Sequence, residues 1–548
     1  MKEKLFVAIL LVIFAATAMS SMSQKGMTTD ELTHITAGYS YVKTHDFRLN
    51  PEHPPLMKTL SGLFLLPLNP TLPDHPSWDN ALTDGEAQWV YGAQFFFFSP
   101  NDPDTLLFWA RLPIVLTALL LGFYIWRWAK ELYGTKPAFL ALILFTFSPN
   151  LLANSRIVHT DIGITTFAFI TLYYWWHTLK KPSLNNTVKT GIALGLALAA
   201  KFSAVFLLAI LPILAVWHAT KEQQEDVKKY AKKIVMPFVL ILGLAIIVIF
   251  LLYQIVGIAA FFTGLWKVIV HSRIGHHSFL MGQRSMDGWW YYFIVTFLIK
   301  TPIALLALLI ARIFYSKTKP FDKQTGFILI PAAIFFLAFM FNKINIGHRH
   351  ILPIYPFLYL WISPLADVKK TAQKILLSAA VILYIISSIM IFPHYLAYFN
   401  EFVTPSNAHN YVIDSNIDWG QDLKGLGAWM KENNVDNITM AYFGLDSRYY
   451  RDITWNELKC KPTEGLIAIS VNRLVGLKQN DEACTKWLHQ FKPIEEIGYS
   501  IKIYNITEQN AKTLQHQFCK DHCSALCKAE GLALAKSTYN ETCRCACF

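Results

Sequence analysis

Asp30, Glu31 and His34 stand about one helical turn apart, directly after an uncharged stretch that runs from Leu5 to Gln24. Ionisable groups gathered where a chain leaves a bilayer suit proton transfer or the binding of a charged substrate. The plainer reading is an acidic pair that caps a helix. Glu52 and His53 follow within Asn50-Pro-Glu-His-Pro-Pro-Leu56, where three prolines stiffen the backbone around two polar groups. A Pro-rich helix start with incidental charges reads the same way. Arg156, His159 and Asp161 occupy the connection Asn154 to Asp161, where Thr160 or Asp161 also suits a helix cap. Arg349 sits in Gly347-His-Arg-His350, where a long side chain can snorkel to lipid headgroups. Arg284 lies among His271, Arg273, His276 and His277, beside an aromatic belt at Trp289 and Trp290. A carboxylate serves as a general base, and arginine stabilises a departing anion. His34, Glu52 and His53 also have the donor types of a divalent-metal site, although spacing alone fixes no coordination geometry.

The elements that position these residues are apolar. The 548 residues are 54% hydrophobic and only 16% charged, which excludes an ordinary water-soluble domain. Apolar stretches lie near 5–23, 106–126, 137–153, 162–179, 188–200, 202–218, 234–257, 289–311, 325–341, 350–366 and 374–393. Each is read as one span of a hydrocarbon layer that takes about 20 helical residues to cross. The run 188–218 is interrupted by Lys201 and reads as a helical hairpin. With about 11 spans and a cytoplasmic N-terminus, the Lys- and Arg-rich connections 127–136, 180–189, 221–233, 312–323 and 369–374 all face the cytoplasm. The net charge of +12 then reports topology and implies no nucleic-acid partner. Ala16-Thr17-Ala18 resembles a signal-peptide cleavage site, but the uncharged run is long enough to be kept as a span.

Everything with candidate chemistry therefore falls on the outer face. The loop 24–105 is expected to hold interfacial helices at Pro54 to Leu68 and Glu86 to Phe98. Alternating short apolar runs at Ile438 to Phe443 and Leu466 to Val471 predict a small exported α/β domain over 394–510. All eight cysteines follow the last span, most of them in the tail 511–548, and an oxidising compartment makes disulfides their expected fate over a zinc site. Asp414-x-Asn416-x-Asp418 is not an EF-hand: Gly420 is one place late and Gly425 stands where the closing glutamate belongs. That segment either faces the site or forms a polar turn. Asn437, Asn505 and Asn540 begin N-glycosylation sequons, which matter only in a host that performs the modification.

The acidic pair after the first span, Pro54-Pro55-Leu56, Thr160-Asp161 and His350-Ile-Leu-Pro353 together resemble the GT-C glycosyltransferases. The likeness is to the branch of protein O-mannosyltransferases and lipid A aminoarabinose transferases, and covers residues 1–393. Tyr398 to Glu401 and Asp414 to Asp422 look like segments of bacterial members with an exported C-terminal domain. The resemblance implies an all-α polytopic bundle in a bacterial inner membrane. It implies transfer of a mannose-like sugar from a polyprenyl-phosphate donor to a protein, lipid or glycan hydroxyl, with inversion and with no required cofactor. By analogy Asp30 is the base, and Glu31 is grouped with it as a catalytic residue. Glu31, Glu52 and Asp161 position the acceptor or orient basic groups, and His34 lies in the substrate site. His53, Arg284 and Arg349 are candidates for the lipid phosphate. Related aminoarabinose transferases carry Lys where this chain has His53, which throws phosphate binding onto other cations. A flippase or transporter would place its charges near the midplane, where Lys201 is the main candidate, and a non-catalytic assembly protein would tolerate loss of Asp30.

Overall fold

The computed structural model describes residues 2–81, 84–221, 227–255, 257–315, 323–447, 451–477, 484–529, 534–540 and 542–547. Among them six helices are long and apolar enough to cross a membrane: Lys2–Ser23 (α1), Pro103–Tyr133, Phe202–Thr220, Lys233–Leu252, Lys323–Met340 and Thr371–Met390. Two further helix pairs meet the same length and composition only together, each as a broken span or a re-entrant loop. Thr135–Thr146 meets Pro149–Ser155 at 59°, and Tyr292–Lys300 meets Ile303–Phe314 at 106°. Proline stands at each break, because it lacks an N–H and clashes with the preceding turn. The sharper bend is held by Asn400, whose Nδ2 donates to the carbonyls of Leu298 (2.6 Å) and Thr301 (3.0 Å).

The eleven apolar stretches are thus not eleven uniform spans. Stretches 162–179 and 188–200 form the helices Asp161–Lys180 and Leu184–Ala200, which pack against one another; the run 188–218 breaks at Lys201 and resumes as a 3-10 turn, Phe202–Val205, and the helix Phe206–Lys221. Stretch 350–366 is a 3-10 turn at His348–Ile354, an eight-residue helix at Tyr355–Ile362, and a second 3-10 turn at Ser363–Asp367. Pro353, Pro356 and Pro364 interrupt its hydrogen-bond ladder.

The outer loop is more ordered than its composition suggests. A buried helix, Thr29–Thr44 (α2), begins immediately after the short link 24–28. Its start is a capping box: Glu31 accepts from the backbone N–H of Thr28, and the Thr28 hydroxyl faces the first turn in return. The expected helix near 54–68 is Leu56–Leu65 (α3), and that near 86–98 is Ala87–Phe97. Helix α3 crosses α2 at backbone contact. A Cβ on Gly38 would lie 1.9 Å from the Lys58 carbonyl oxygen, and one on Gly62 would lie 2.1 Å from that of Gly38.

A small antiparallel hairpin of Ser278–Leu280 (β1) and Gln283–Ser285 (β2) projects from the membrane section. Beyond the last span a five-stranded mixed sheet forms from Ile438–Ala441 (β3), Trp455–Glu457 (β4), Gly465–Ser470 (β5), Glu495–Ile497 (β6) and Ile501–Ile506 (β7), in the order β4-β3-β5-β7-β6. Strand β3 runs parallel to β4 and β5, while β7 pairs antiparallel with β5 and β6. Alternation sends Met440, Ala468 and Ile503 under the helix Leu423–Glu432, and Ile467, Ile469 and Tyr504 into a second core with Leu474 and Leu488. Cys460 and Cys484 are joined by a disulfide, S–S 2.01 Å. The tail continues as the helix Glu508–Ala529 and the hairpin Leu534–Asn540 with Thr542–Cys547. The side chains of Cys523, Cys527, Cys543, Cys545 and Cys547 lie outside the described residues.

Two outcomes follow from this packing. Gly38→Ala should lower the melting temperature of the detergent-solubilised protein, at a cost of about 1–3 kcal/mol for overpacking. Gly243→Ala, with open space around its Cβ, should not. Equal melting of the two variants would refute the close crossing of α2 and α3. Peptide mapping without reduction should recover the Cys460 and Cys484 peptides linked, and two separate peptides would contradict the fold of the exported sheet.

Candidate active site

Glu31 is the anchor of the cluster. Its side chain is fully buried, and Arg111 of the helix Pro103–Tyr133 grips it through Nε (2.7 Å) and Nη2 (2.6 Å). Glu31 also accepts from the Val158 backbone N–H at 3.0 Å. Burial alone would raise its pKa, but the Arg111 guanidinium and the backbone donors hold it below the usual range. The remaining Arg111 donors reach the carbonyls of Met22, Lys25 and Gly26. Glu31 is thereby locked behind the site, and its two oxygens face donors rather than open space.

Asp30, the next residue back, is different. Its side chain is 23% exposed. Its nearest cation is Arg349, with Nη2 at 3.6 Å, and the Trp419 indole donates to it. Burial is the largest influence on Asp30 and raises its pKa, opposed by Arg349 and His159 and reinforced by Asp161. Arg349 is the hub of the cluster. Its guanidinium lies 4.1 Å over the Trp419 ring, donates from Nε to Ser415 Oγ at 3.1 Å, and reaches Asp161 from Nη1 at 3.4 Å. Asp161 is buried and ion-paired to Lys201, and His159 Nδ1 lies 3.0 Å from it. Lys201 Nζ also approaches His350 Nδ1 at 3.4 Å. Residues separated by more than three hundred positions thus form one network of two aspartates and two cations.

A second group adjoins the first, one turn further along α2. His34 and His53 meet edge to face with ring centroids 4.8 Å apart, and His34 Nδ1 is 3.0 Å from the Val158 carbonyl. Glu52 accepts from Gln88 Nε2 at 2.8 Å and Asn50 Nδ2 at 3.2 Å. Burial is the largest influence on His53 and pushes it down to about 3. Beneath these residues Lys58 is buried, its Nζ donating to Tyr41 Oη and to the carbonyls of Asn50 (2.6 Å) and His53 (2.7 Å). Burial lowers Lys58 to about 7. It closes the Pro-rich loop from below. Among the described residues no three His, Cys, Asp or Glu side chains are arranged to hold a metal ion, His34, Glu52 and His53 included.

The C-terminal domain supplies the roof. Trp419 and Gln421 accept from the backbone N–H groups of Thr29 and Gly26, each at 2.9 Å. Asp422 is ion-paired to buried Lys25, and Ser500 donates to the same carboxylate at 2.7 Å. Asp446 accepts from Met27 N–H at 3.4 Å and is paired to Arg451, which also holds Asp104. Segment 414–422 therefore faces the site through Ser415 and Trp419. Arg156 is buried among these charges, where burial and Arg111 lower it to about 10. Arg284 is engaged elsewhere: Nη2 donates to the Val475 carbonyl at 2.5 Å, tying the β1–β2 hairpin to the exported domain.

Sequence reading missed Arg111, Lys25 and Lys58 because each lies inside or beside an apolar segment and looks like a charge that marks a membrane boundary. A Thr-x-x-Glu pattern at Thr28 was the available sign that Glu31 caps a helix instead of facing substrate.

Comparison with known proteins adds to this geometry. No curated protein sequence matches the chain. Among solved structures, ArnT from Cupriavidus metallidurans in the apo state gives a TM-score of 0.49 at 11% identity, over 92% of this chain and 98% of that one. The archaeal oligosaccharyltransferase AglB from Archaeoglobus fulgidus, in complex with an inhibitory peptide and a dolichol-phosphate, gives 0.44 at 12% identity over 86% and 70%. The Pmt1-Pmt2 protein O-mannosyltransferase complex of S. cerevisiae, bound to its sugar donor, gives 0.35 at 19% identity over 48% and 34%. Residues 104–253, which include Arg111, Asp161 and Lys201, match the family model for dolichyl-phosphate-mannose-protein mannosyltransferase. The resemblance to GT-C glycosyltransferases drawn from the outer-face motifs is thus met again, by a separate comparison, within that part of the chain.

Proposed function

We propose that the chain is a multi-pass membrane glycosyltransferase that moves a mannose-like hexose from a polyprenyl-phosphate carrier to an acceptor hydroxyl. The outer-face site, with the N-terminus in the cytoplasm of a bacterial cell, is part of the same reading. The observation that carries it is the contrast between Asp30 and its neighbours. Asp30 is a partly exposed carboxylate beside a guanidinium, in a cluster where Glu31 and Asp161 are buried and saturated by donors.

In this scheme Asp30 removes the acceptor proton as the acceptor oxygen attacks the anomeric carbon from the face opposite the phosphate. The bond from carbon to phosphate oxygen breaks, its electron pair leaves with the lipid phosphate, and the configuration inverts. Arg349 and Lys201 supply the positive charge that the leaving phosphate needs. Glu31 positions Asp30 through Arg111, and His34, Glu52 and His53 line the adjoining wall. The scheme needs no cofactor; a divalent ion near His34, Glu52 and His53 would require those side chains to rearrange. The family-model match supports the lipid-phosphate donor. Lys201 is paired to Asp161 in the outer cluster, which favours an enzyme over a carrier with a midplane charge.

Asp30→Asn should cut transfer from polyprenyl-phosphate mannose by about 10²–10⁴-fold while the protein still binds the lipid donor. Full activity in that variant would remove Asp30 as the base. The pH profile offers a separate check. Because Asp30 is raised, the active carboxylate form should be lost as pH falls through a value above the ordinary Asp range of about 3.9. Arg349 favours the ionised form, so the residual activity of Arg349→Gln should show its acid limb at still higher pH. A limb that stays put or moves down would assign the titration to another group.

A further inference from the structure

A cavity of about 290 Å³ opens between the start of α2 and the exported sheet. Thr29, the neighbour of Asp30, forms one wall; Tyr442, Phe443, Leu445, Asn472, Arg473 and Leu477 form much of the rest. We propose that it is an acceptor subsite, taking an apolar side chain next to the hydroxyl-bearing residue of a polypeptide. This rests on the glycosyltransferase reading and specifies its acceptor.

The lining decides between a peptide and a sugar. A sugar ring brings several hydroxyls, and each one that loses water needs a new partner. The side chains of Asn472, Thr29 and Tyr442 are already engaged within the fold, and Arg473 adds a guanidinium to the lining. Asn472 accepts from the Asp414 N–H at 2.8 Å and donates from Nδ2 to the Asp418 carbonyl at 2.9 Å. Thr29 Oγ1 donates to the Trp419 carbonyl at 3.3 Å, and Tyr442 Oη donates to that of Gly420 at 2.5 Å. What remains is largely the apolar surface of Phe443, Leu445 and Leu477. Phe443 and Leu477 are fixed from behind by Phe279 of β1 and by Ile413, so the wall is preformed. Leu445 is 39% exposed, an apolar side chain of the exported domain open to an incoming group.

Spacing gives the register. Consecutive residues of an extended peptide are about 3.3 Å apart along the chain. A wall one residue from the base therefore reads the side chain one or two positions from the acceptor hydroxyl. The pocket belongs to the exported domain and the α2 start, so it sorts acceptors without touching the lipid donor.

The test uses the full-length protein in detergent, polyprenyl-phosphate mannose, and two synthetic peptides with a central threonine flanked by phenylalanine or by glycine. A soluble oligosaccharide is the third acceptor. Wild type should favour the phenylalanine peptide at least tenfold in kcat/KM. Leu445→Trp, which fills the cavity, should erase that preference by raising the KM of the phenylalanine peptide, with the KM of the lipid donor unchanged. Equal use of both peptides, or a preference untouched by Leu445→Trp, would overturn the subsite. Transfer to the oligosaccharide alone would also overturn it while leaving the glycosyltransferase reading intact. No transfer to any acceptor would remove that reading, and the subsite with it.

Discussion

The site depends on one buried ion pair. Glu31 and Arg111 join the start of α2 to a membrane helix, and through their remaining donors and acceptors they hold the end of α1, the link 24–28 and the turn at Val158. Removing one partner of such a pair leaves an unpaired charge in a low-dielectric interior, at a cost of about 3–5 kcal/mol. The pair is therefore a joint between five chain segments. Asp30 inherits its place from that joint, since it precedes Glu31 in a helix whose first turn is pinned.

The same arrangement separates two aspartates of identical chemistry. Asp161 is surrounded by Lys201, His159 and Arg349, whereas Asp30 shares Arg349 at a longer distance and keeps part of its surface open. Environment sets the roles of paired carboxylates in many active sites, one neutralised by its surroundings and the other left to exchange a proton. Arg349 links the two, and its stacking on Trp419 makes that link depend on the exported domain. The domain is thus part of the site: its backbone carbonyls and carboxylates clamp the link 24–28 directly ahead of Asp30.

Much of the architecture was legible in the amino-acid order. The break at Lys201, the helices near 54–68 and 86–98, and the alternating strands near Ile438 and Leu466 all have counterparts in the structure. The bends were not legible, because a proline in an apolar run marks a kink without giving its angle. Helix α2 was hidden for a different reason. It is polar by composition and buried by packing, and its sequence reads as a loop until α3 and its neighbours cover it.

Sequence alone determined what depends on local composition: which stretches are apolar enough for a hydrocarbon layer, and that Asp30, Glu52, Asp161 and Arg349 all fall in the connections between them. A span of about 30 Å demands its apolar residues consecutively, so that information is written along the chain. Tertiary structure decided which of those charges remains available. Glu31 and Asp30 are neighbours of the same charge, and only the arrival of Arg111 from eighty positions away makes one a structural joint and leaves the other facing the site. Such pairings depend on helix packing, and two groups that meet through packing need no fixed spacing in the chain.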